Sequence, residues 1–294
     1  MENLTICIPS YNRLGMLKDL VNSIPEEYPV CISDNGNYVP DNSFCRGNIR
    51  IHHFESVVSS GDNWNRAVSL VETDWFILPG DDDIIFPHML PRVMESIKKY
   101  PDCGIIVFGY NIINEKSESK LGWCPSEEIY LPVPQSFYNM KRHIPFRWPA
   151  FAINTKKSKE IGDFDQGPFQ ITAGDSYYLQ YLAIKNPVAL IPEVIGEYRI
   201  WGNNTTITKL FSTQWFKDVK LWQDKLKDLL QQENIQFVGF NKNRDLILSD
   251  NLIAALNSAK NAGLVEKLKF AKQVGIPYRA GLLNIARIVR AILR

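Results

Sequence analysis

Hydrophobic and polar positions follow two rhythms along the first two-thirds of the chain. Short apolar runs bounded by turn residues mark buried strands. They occur at "LTICI", "PVCISDNG", "NIRIHHF", "WFIL", "CGIIVFG" and "PVALIP". Between them apolar residues recur at helical spacing. Leu14, Leu17, Val21 and Ile24 share one face, and Trp64, Val68 and Val71 another. Further helices are predicted from Met89 to Tyr100 and over "AGDSYYLQYLAIK", with a turn and short helix at "INTKKSKEIGDFD". Residues 111–149 are polar, aromatic and proline-rich, and predict a long loop of the kind that often serves function. Strands alternating with helices imply a mostly parallel sheet covered on both faces.

The rhythm changes after about Thr208. Trp215, Val219, Trp222, Leu226 and Leu229 repeat at helical spacing behind Ser212 or Thr213, either of which suits an N-cap. Two more helical patterns begin near Arg244 and Leu264. The expected organisation is an α/β domain over residues 1–208 and a helical appendix over 209–294.

Charge narrows the function classes. Thirty-three Lys and Arg stand against 32 Asp and Glu in 294 residues, a net charge of +1. That balance lacks the basic excess of a nucleic-acid binder. The N-terminus enters a strand without a leader pattern, and no apolar run reaches the roughly 20 residues of a membrane span. The five cysteines are odd in number and lack metal-site spacing, so a reduced, cytosolic protein is expected. The segment from Leu264 onward is basic. Its end, "AGLLNIARIVRAILR", mixes Leu283, Ile285, Ile288, Val289 and Ile292 with Arg287, Arg290 and Arg294. Two readings stay open: a solvated face packed on its neighbours, or a peripheral membrane contact through residues 280–294.

Three polar clusters fall where strands end, the place where open α/β sheets bind ligands. The first is Pro9, Ser10, Tyr11, Asn12 and Arg13; the second is Ser33, Asp34, Asn35 and Gly36. The third is Gly80, Asp81, Asp82 and Asp83, directly after an apolar strand. Adjacent carboxylates repel, and partial burial makes each costlier to ionise. A hard divalent cation with oxygen ligands would offset that repulsion. Mg²⁺ or Mn²⁺ needs few protein carboxylates when substrate phosphates supply the rest, so a nucleotide diphosphate completes such a site. Asp34-Asn35-Gly36 alone is also a turn sequence.

"TICIPSYNR", "CISDNG", "NWNRAV" and "WFILPGDDDIIFP", in that order, resemble the successive motifs of the inverting glycosyltransferases of family two, which have the GT-A (Rossmann-like) fold. The resemblance runs over roughly residues 3 to 205. It implies that Pro9, Tyr11, Arg13, Asp34 and Asn35 hold a nucleotide sugar, together with Asn63, Arg66, Asp81 and Arg199. It implies that Asp81, Asp82 and Asp83 hold Mn²⁺ or Mg²⁺ as a D-x-D motif, with Asp82 favoured. Asp175, opening a helix in "IGDFDQGPFQITAGDSYYLQYL", would be the general base; the same position would also suit a helix cap. Two departures stand out. Gly80 occupies the position of the motif's first Asp, and Trp201 that of a late histidine, which leaves Arg199 as the late contact. The implied donor is a nucleotide-diphosphate sugar, with UDP favoured. The implied acceptor is a glycan or lipid-linked sugar in bacterial polysaccharide synthesis. Two rivals are a catalytically inactive sugar- or membrane-binding subunit and a sugar nucleotidyltransferase. The second would carry a glycine-rich loop after the first strand, and "PSYNR" has none.

Overall fold

The computed structural model describes residues 3–142, 144–162, 164, 169–200 and 208–293. The chain divides into two compact units. One comprises Met1–Phe137, Pro145–Asp165 and Leu182–Trp201; the other comprises Tyr138–Ile144, Gln166–Tyr181 and Gly202–Arg294. Asp175 therefore groups with the helices of the second unit.

The first unit is built on one sheet. Its N-terminal half is parallel: β3 (Ile49–Phe54), β2 (Val30–Asn35), β1 (Leu4–Ser10) and β4 (Trp75–Ile77) lie side by side in that order. Every residue of β1, β2 and β4 is buried, which is why their apolar residues run together instead of strictly alternating. Helix α1 (Leu14–Asn22) connects β1 to β2, α2 (Ser60–Ser69) connects β3 to β4, and α3 (Leu90–Lys99) follows β4 on the way to the rest of the sheet. Ser59 caps α2 by accepting from the Asp62 N–H. The Leu17, Leu20, Val21 and Ile24 side chains of the α1 region join Leu4, Ile6, Ile8, Val30 and Ile32 in the core.

Beyond β4 the sheet becomes mixed. β9 (Phe151–Asn154) lies antiparallel between β4 and β6 (Ile105–Ile113), and β10 (Val188–Arg199) runs parallel to β6. The short β5 (Ile84–Ile85) pairs with β10 near its end. The sequence pattern places no strand at "FAIN"; four residues are too few to show a period. The expected long loop over 111–149 is instead structured. It holds the end of β6, β7 (Ser119–Trp123), β8 (Ile129–Leu131) and α4 (Gln135–Met140). β7 and β8 escape the pattern because their residues are mostly half or fully exposed. After it come α5 (Thr155–Glu160) and α6 (Gly174–Lys185).

The second unit adds α7 (Thr213–Gln232), α8 (Phe240–Ser258), α9 (Leu264–Val274) and α10 (Leu282–Leu293). Ser212, not Thr213, is the N-cap of α7, its hydroxyl accepting from the Trp215 N–H. The tryptophan stripe of α7 is core: Trp215 donates through Nε1 to Asn251, and Trp222 to Gln180. The basic C-terminal pattern splits into two helices at Gly275, which takes the left-handed φ of +87°.

Candidate active site

The carboxyl ends of β1 and β4 meet over one salt-bridged junction. Asp81 is fully buried. Its Oδ2 accepts from the Ser10 hydroxyl and from the Tyr11 N–H, each at 3.1 Å. Its Oδ1 lies 2.6 Å from Arg13 Nη2, while Arg13 Nη1 reaches Asp82 Oδ2 at 2.8 Å. One guanidinium thus bridges two successive carboxylates, and the first and third polar clusters become one site. Burial pushes the Asp81 carboxyl up to about 6 in spite of the neighbouring guanidinium. Asp83 is buried too, accepting from the Gly80 N–H at 2.8 Å and the Arg199 N–H at 3.2 Å. Burial, then the charge of Asp82, raises its pKa well above the ordinary value. Arg199 also grips the Asp82 carbonyl through Nε at 2.7 Å, which places this late arginine on the aspartate loop. Trp201 lies outside the described residues.

Among the described residues no group of three or more His, Cys, Asp or Glu side chains has a metal-binding arrangement. Asp81 and Asp83 turn inward to backbone and serine donors. Asp82, at 15% side-chain exposure, is the one that keeps a surface. Gly80 has a local reason: a Cβ there would sit 2.7 Å from Asp82 Oδ1.

The second cluster is tied to the first through Asn63, which is buried on α2. Asn63 accepts from Ser33 at 2.7 Å and donates to the Ser10 carbonyl at 3.4 Å. Asn35 exchanges two hydrogen bonds with the backbone of Val58. Arg66 donates to Asn35 and to Ser56 while lying 4.3 Å from the Phe54 ring centre. These three residues brace strand ends. Pro9 is buried, in register with Ser33 of β2. Asp34, fully buried, accepts from the Tyr38 and Val39 N–H groups at 3.0 and 2.8 Å. The loop it holds sets the exposed Tyr38 ring edge-on against the exposed Tyr11 ring, centres 5.4 Å apart.

The family model for "Glycosyl transferase family 2" matches residues 5–162. The chain belongs to glycosyl transferase family 2. It is therefore a glycosyltransferase, and its sheet is a GT-A fold. No curated protein sequence matches it. Among solved structures it is similar to S. aureus TarS residues 1–349, at 12% identity and a TM-score of 0.57, over 98% of this chain and 88% of that one. TarS itself matches at 12% identity and 0.57, with 54% of its length covered, so the chain spans about half of it. TarS 1–349 in complex with UDP-GlcNAc matches at 14% identity and 0.54, over 98% and 79% of the two chains. Identities this low are a likeness of fold.

In this glycosyltransferase Asp175 lies in the first turn of α6, half-buried, with Oδ1 accepting from the Ser176 N–H at 2.7 Å. A carboxylate there is favoured by the helix dipole. The chain just before it is held by a residue absent from the sequence reading. Asp218 of α7 is buried, and its Oδ2 accepts from the N–H groups of Gln170, Ile171 and Thr172 at 3.1, 2.6 and 3.1 Å. Gln214 donates to its other oxygen at 2.8 Å. Ala173 follows in the left-handed region at φ +73°. A signal was present: Asp218 stands beside Trp215, Val219 and Trp222 on the apolar face of a helix, where a carboxylate needs a reason. His53, also unassigned from sequence, faces Asp34.

Proposed function

We propose that the protein is an inverting, metal-dependent glycosyltransferase. It moves a sugar from a UDP-sugar to a hydroxyl of a glycan or lipid-linked acceptor in bacterial surface-polysaccharide synthesis. The junction of Arg13 with Asp81 and Asp82 carries the donor half of this reading. It gathers a fixed cation and an accessible carboxylate beside Tyr11 at the carboxyl ends of parallel strands. TarS, which shares the fold, has been solved with UDP-GlcNAc and with UDP, and this supports a uridine donor.

The aspartate loop fits Mg²⁺ or Mn²⁺ through Asp82 alone, the remaining ligands coming from phosphate and water. When bound, such a cation supplies charge that offsets the negative charge of the departing diphosphate. Arg13 holds Asp82 in place, and Asp81 and Asp83 shape the loop. Asp175 takes the proton from the acceptor hydroxyl as that oxygen bonds to the anomeric carbon. The carbon–oxygen bond to the diphosphate breaks on the opposite side, and the configuration inverts.

The test is thermal unfolding with UDP, dTDP, GDP or CDP, with and without Mn²⁺. At about 100 times its Kd a ligand stabilises by roughly 2.7 kcal/mol, a rise of about 5–10 °C for a chain of this size. UDP should give that rise with Mn²⁺, and Asp82→Ala should lose the metal-dependent part. No rise with any nucleotide, in a folded sample, would replace this reading with a non-catalytic binding subunit.

A membrane-facing role for the C-terminal helix has its own support. Leu282, Ala286, Val289 and Leu293 of α10, at spacings of four, three and four, form an exposed apolar stripe, flanked by exposed Arg287 and Arg290. An apolar stripe with an arginine flank suits an anionic lipid surface. Among the described residues no helix is long and apolar enough to cross a membrane. Leu282→Glu with Val289→Glu should abolish sedimentation with phosphatidylglycerol vesicles at unchanged melting temperature; retained binding would remove the lipid contact.

A further inference from the structure

The loop after β2 is closed from both sides by one imidazole. His53, on β3, places Nδ1 2.9 Å from Asp34 Oδ2 and Nε2 2.9 Å from Asp41 Oδ1. Between those two carboxylates runs the chain that carries Tyr38. Its path is tight: Gly36 and Asn37 have φ of +105° and +59°. A Cβ on Gly36 would stand 2.6 Å from the Tyr38 ring, so the ring lies directly on the turn. Asn37 adds a bond to Glu55 at 2.9 Å, just past the end of β3.

We propose that His53 is a positioning residue of the donor site, clamping Asp34 and Asp41 together so that Tyr38 stays against Tyr11 as a face for the nucleotide base. The proposal rests on the reading of these strand ends as the nucleotide site. Aromatic faces of this kind stack on nucleobases.

The clamp depends on charge state. A neutral imidazole has one N–H and can donate to one carboxylate; an imidazolium donates to both. The titratable groups facing the ring are Asp34 from β2 and Asp41 from the turn Asp41–Ser43, with Glu55 tying the same loop through Asn37. The hydrogen bond to Asp34 is the largest cause and raises the His53 pKa above the ordinary histidine value; burial comes next and opposes it, and the hydrogen bond to Asp41 adds to the rise. The sign follows for a group whose folded pKa is raised. The double clamp is fully present below the unfolded histidine pKa, and is lost as pH rises through the folded value.

Calorimetric titration of the full chain with UDP and Mn²⁺, over roughly pH 6 to 9 around the histidine range, tests this. Wild-type affinity should fall with rising pH. His53→Gln should bind about 3–10-fold more weakly at the acid end, the size of one ordinary net hydrogen bond at a part-exposed site. The ratio of variant to wild-type affinity should approach one at the alkaline end. Titration of the probe's own phosphate cancels in that ratio. Asp41→Asn changes only the exposed carboxylate, so it keeps the fold if His53→Gln does not. It should shift the affinity midpoint to lower pH. UDP binding with a ratio near one throughout, or an unshifted Asp41→Asn profile, would overturn the clamp while leaving the donor site standing. No UDP binding by the wild type would overturn both.

Discussion

Asp34 and Asp218 do the same mechanical work in the two units, with different partners. Each is a buried carboxylate that gathers successive backbone N–H groups of a loop: Tyr38 and Val39 for Asp34, residues 170–172 for Asp218. Irregular backbone this close to a core must find acceptors, and one carboxylate supplies several at once. The remaining partners differ. Asp34 meets an imidazole that titrates, whereas Asp218 meets the Gln214 amide, which does not. The segments they hold differ as well: one bears Tyr38 beside Tyr11, the other leads into Asp175. In this glycosyltransferase both segments are irregular, and buried side chains reaching from neighbouring elements set their shape.

The largest expected effect breaks the comparison at its chemical end. Asp175→Asn should lower transfer by about 10²–10⁴-fold, the usual contribution of a general base. It should leave the nucleotide-induced rise in melting temperature intact, because the proposed role of Asp175 is in the proton transfer and not in holding the donor. Near-normal product formation would remove Asp175 from the mechanism and leave it as a helix-start residue.

Next in size is the Asp218 anchor. Asp218→Ala strips the acceptor from three N–H groups and should cost on the order of 3 kcal/mol, read as lower unfolding stability. Asp218→Asn keeps one acceptor oxygen of the same shape and should recover most of it, with Gln214 turning its amide to match. Equal losses in the two variants would show that charge, not the acceptor, holds the segment. The smallest effect is the pH response of UDP affinity through His53, and it sharpens the contrast: the Asp34 loop, which meets an imidazole, should respond to pH near the histidine range.

Much of this was legible in the residue order. The apolar runs located β1 to β4 to within a residue or two; β1, β2 and β4 are buried on both faces and so need not alternate with polar residues, while β3 alternates half-buried with exposed positions. Three strand-end clusters also stood out, since Asp81, Asp82 and Asp83 directly after a buried strand are costly without a purpose. Ser212 or Thr213 announced α7, and the structure chose Ser212. The partners of those residues were not legible. Which aspartate keeps a surface depends on where Ser10, Arg13 and Arg199 arrive, and Arg199 comes from more than a hundred positions away. β9 was invisible because four residues in a mixed sheet draw their identity from β4 and β6, not from their own pattern.

The sequence by itself determined the alternation of strands and helices, the buried face of each, and the chemical types waiting at the strand ends. These follow from local periodicity and from the cost of burying charge. Only the tertiary structure decided that Asp81 and Asp83 turn inward while Asp82 does not. It alone brought His53 between Asp34 and Asp41, and Asp218 beneath the segment before Asp175. Such pairings join residues remote in the chain. Their energy depends on distance and burial in three dimensions, and no one-dimensional pattern carries that information.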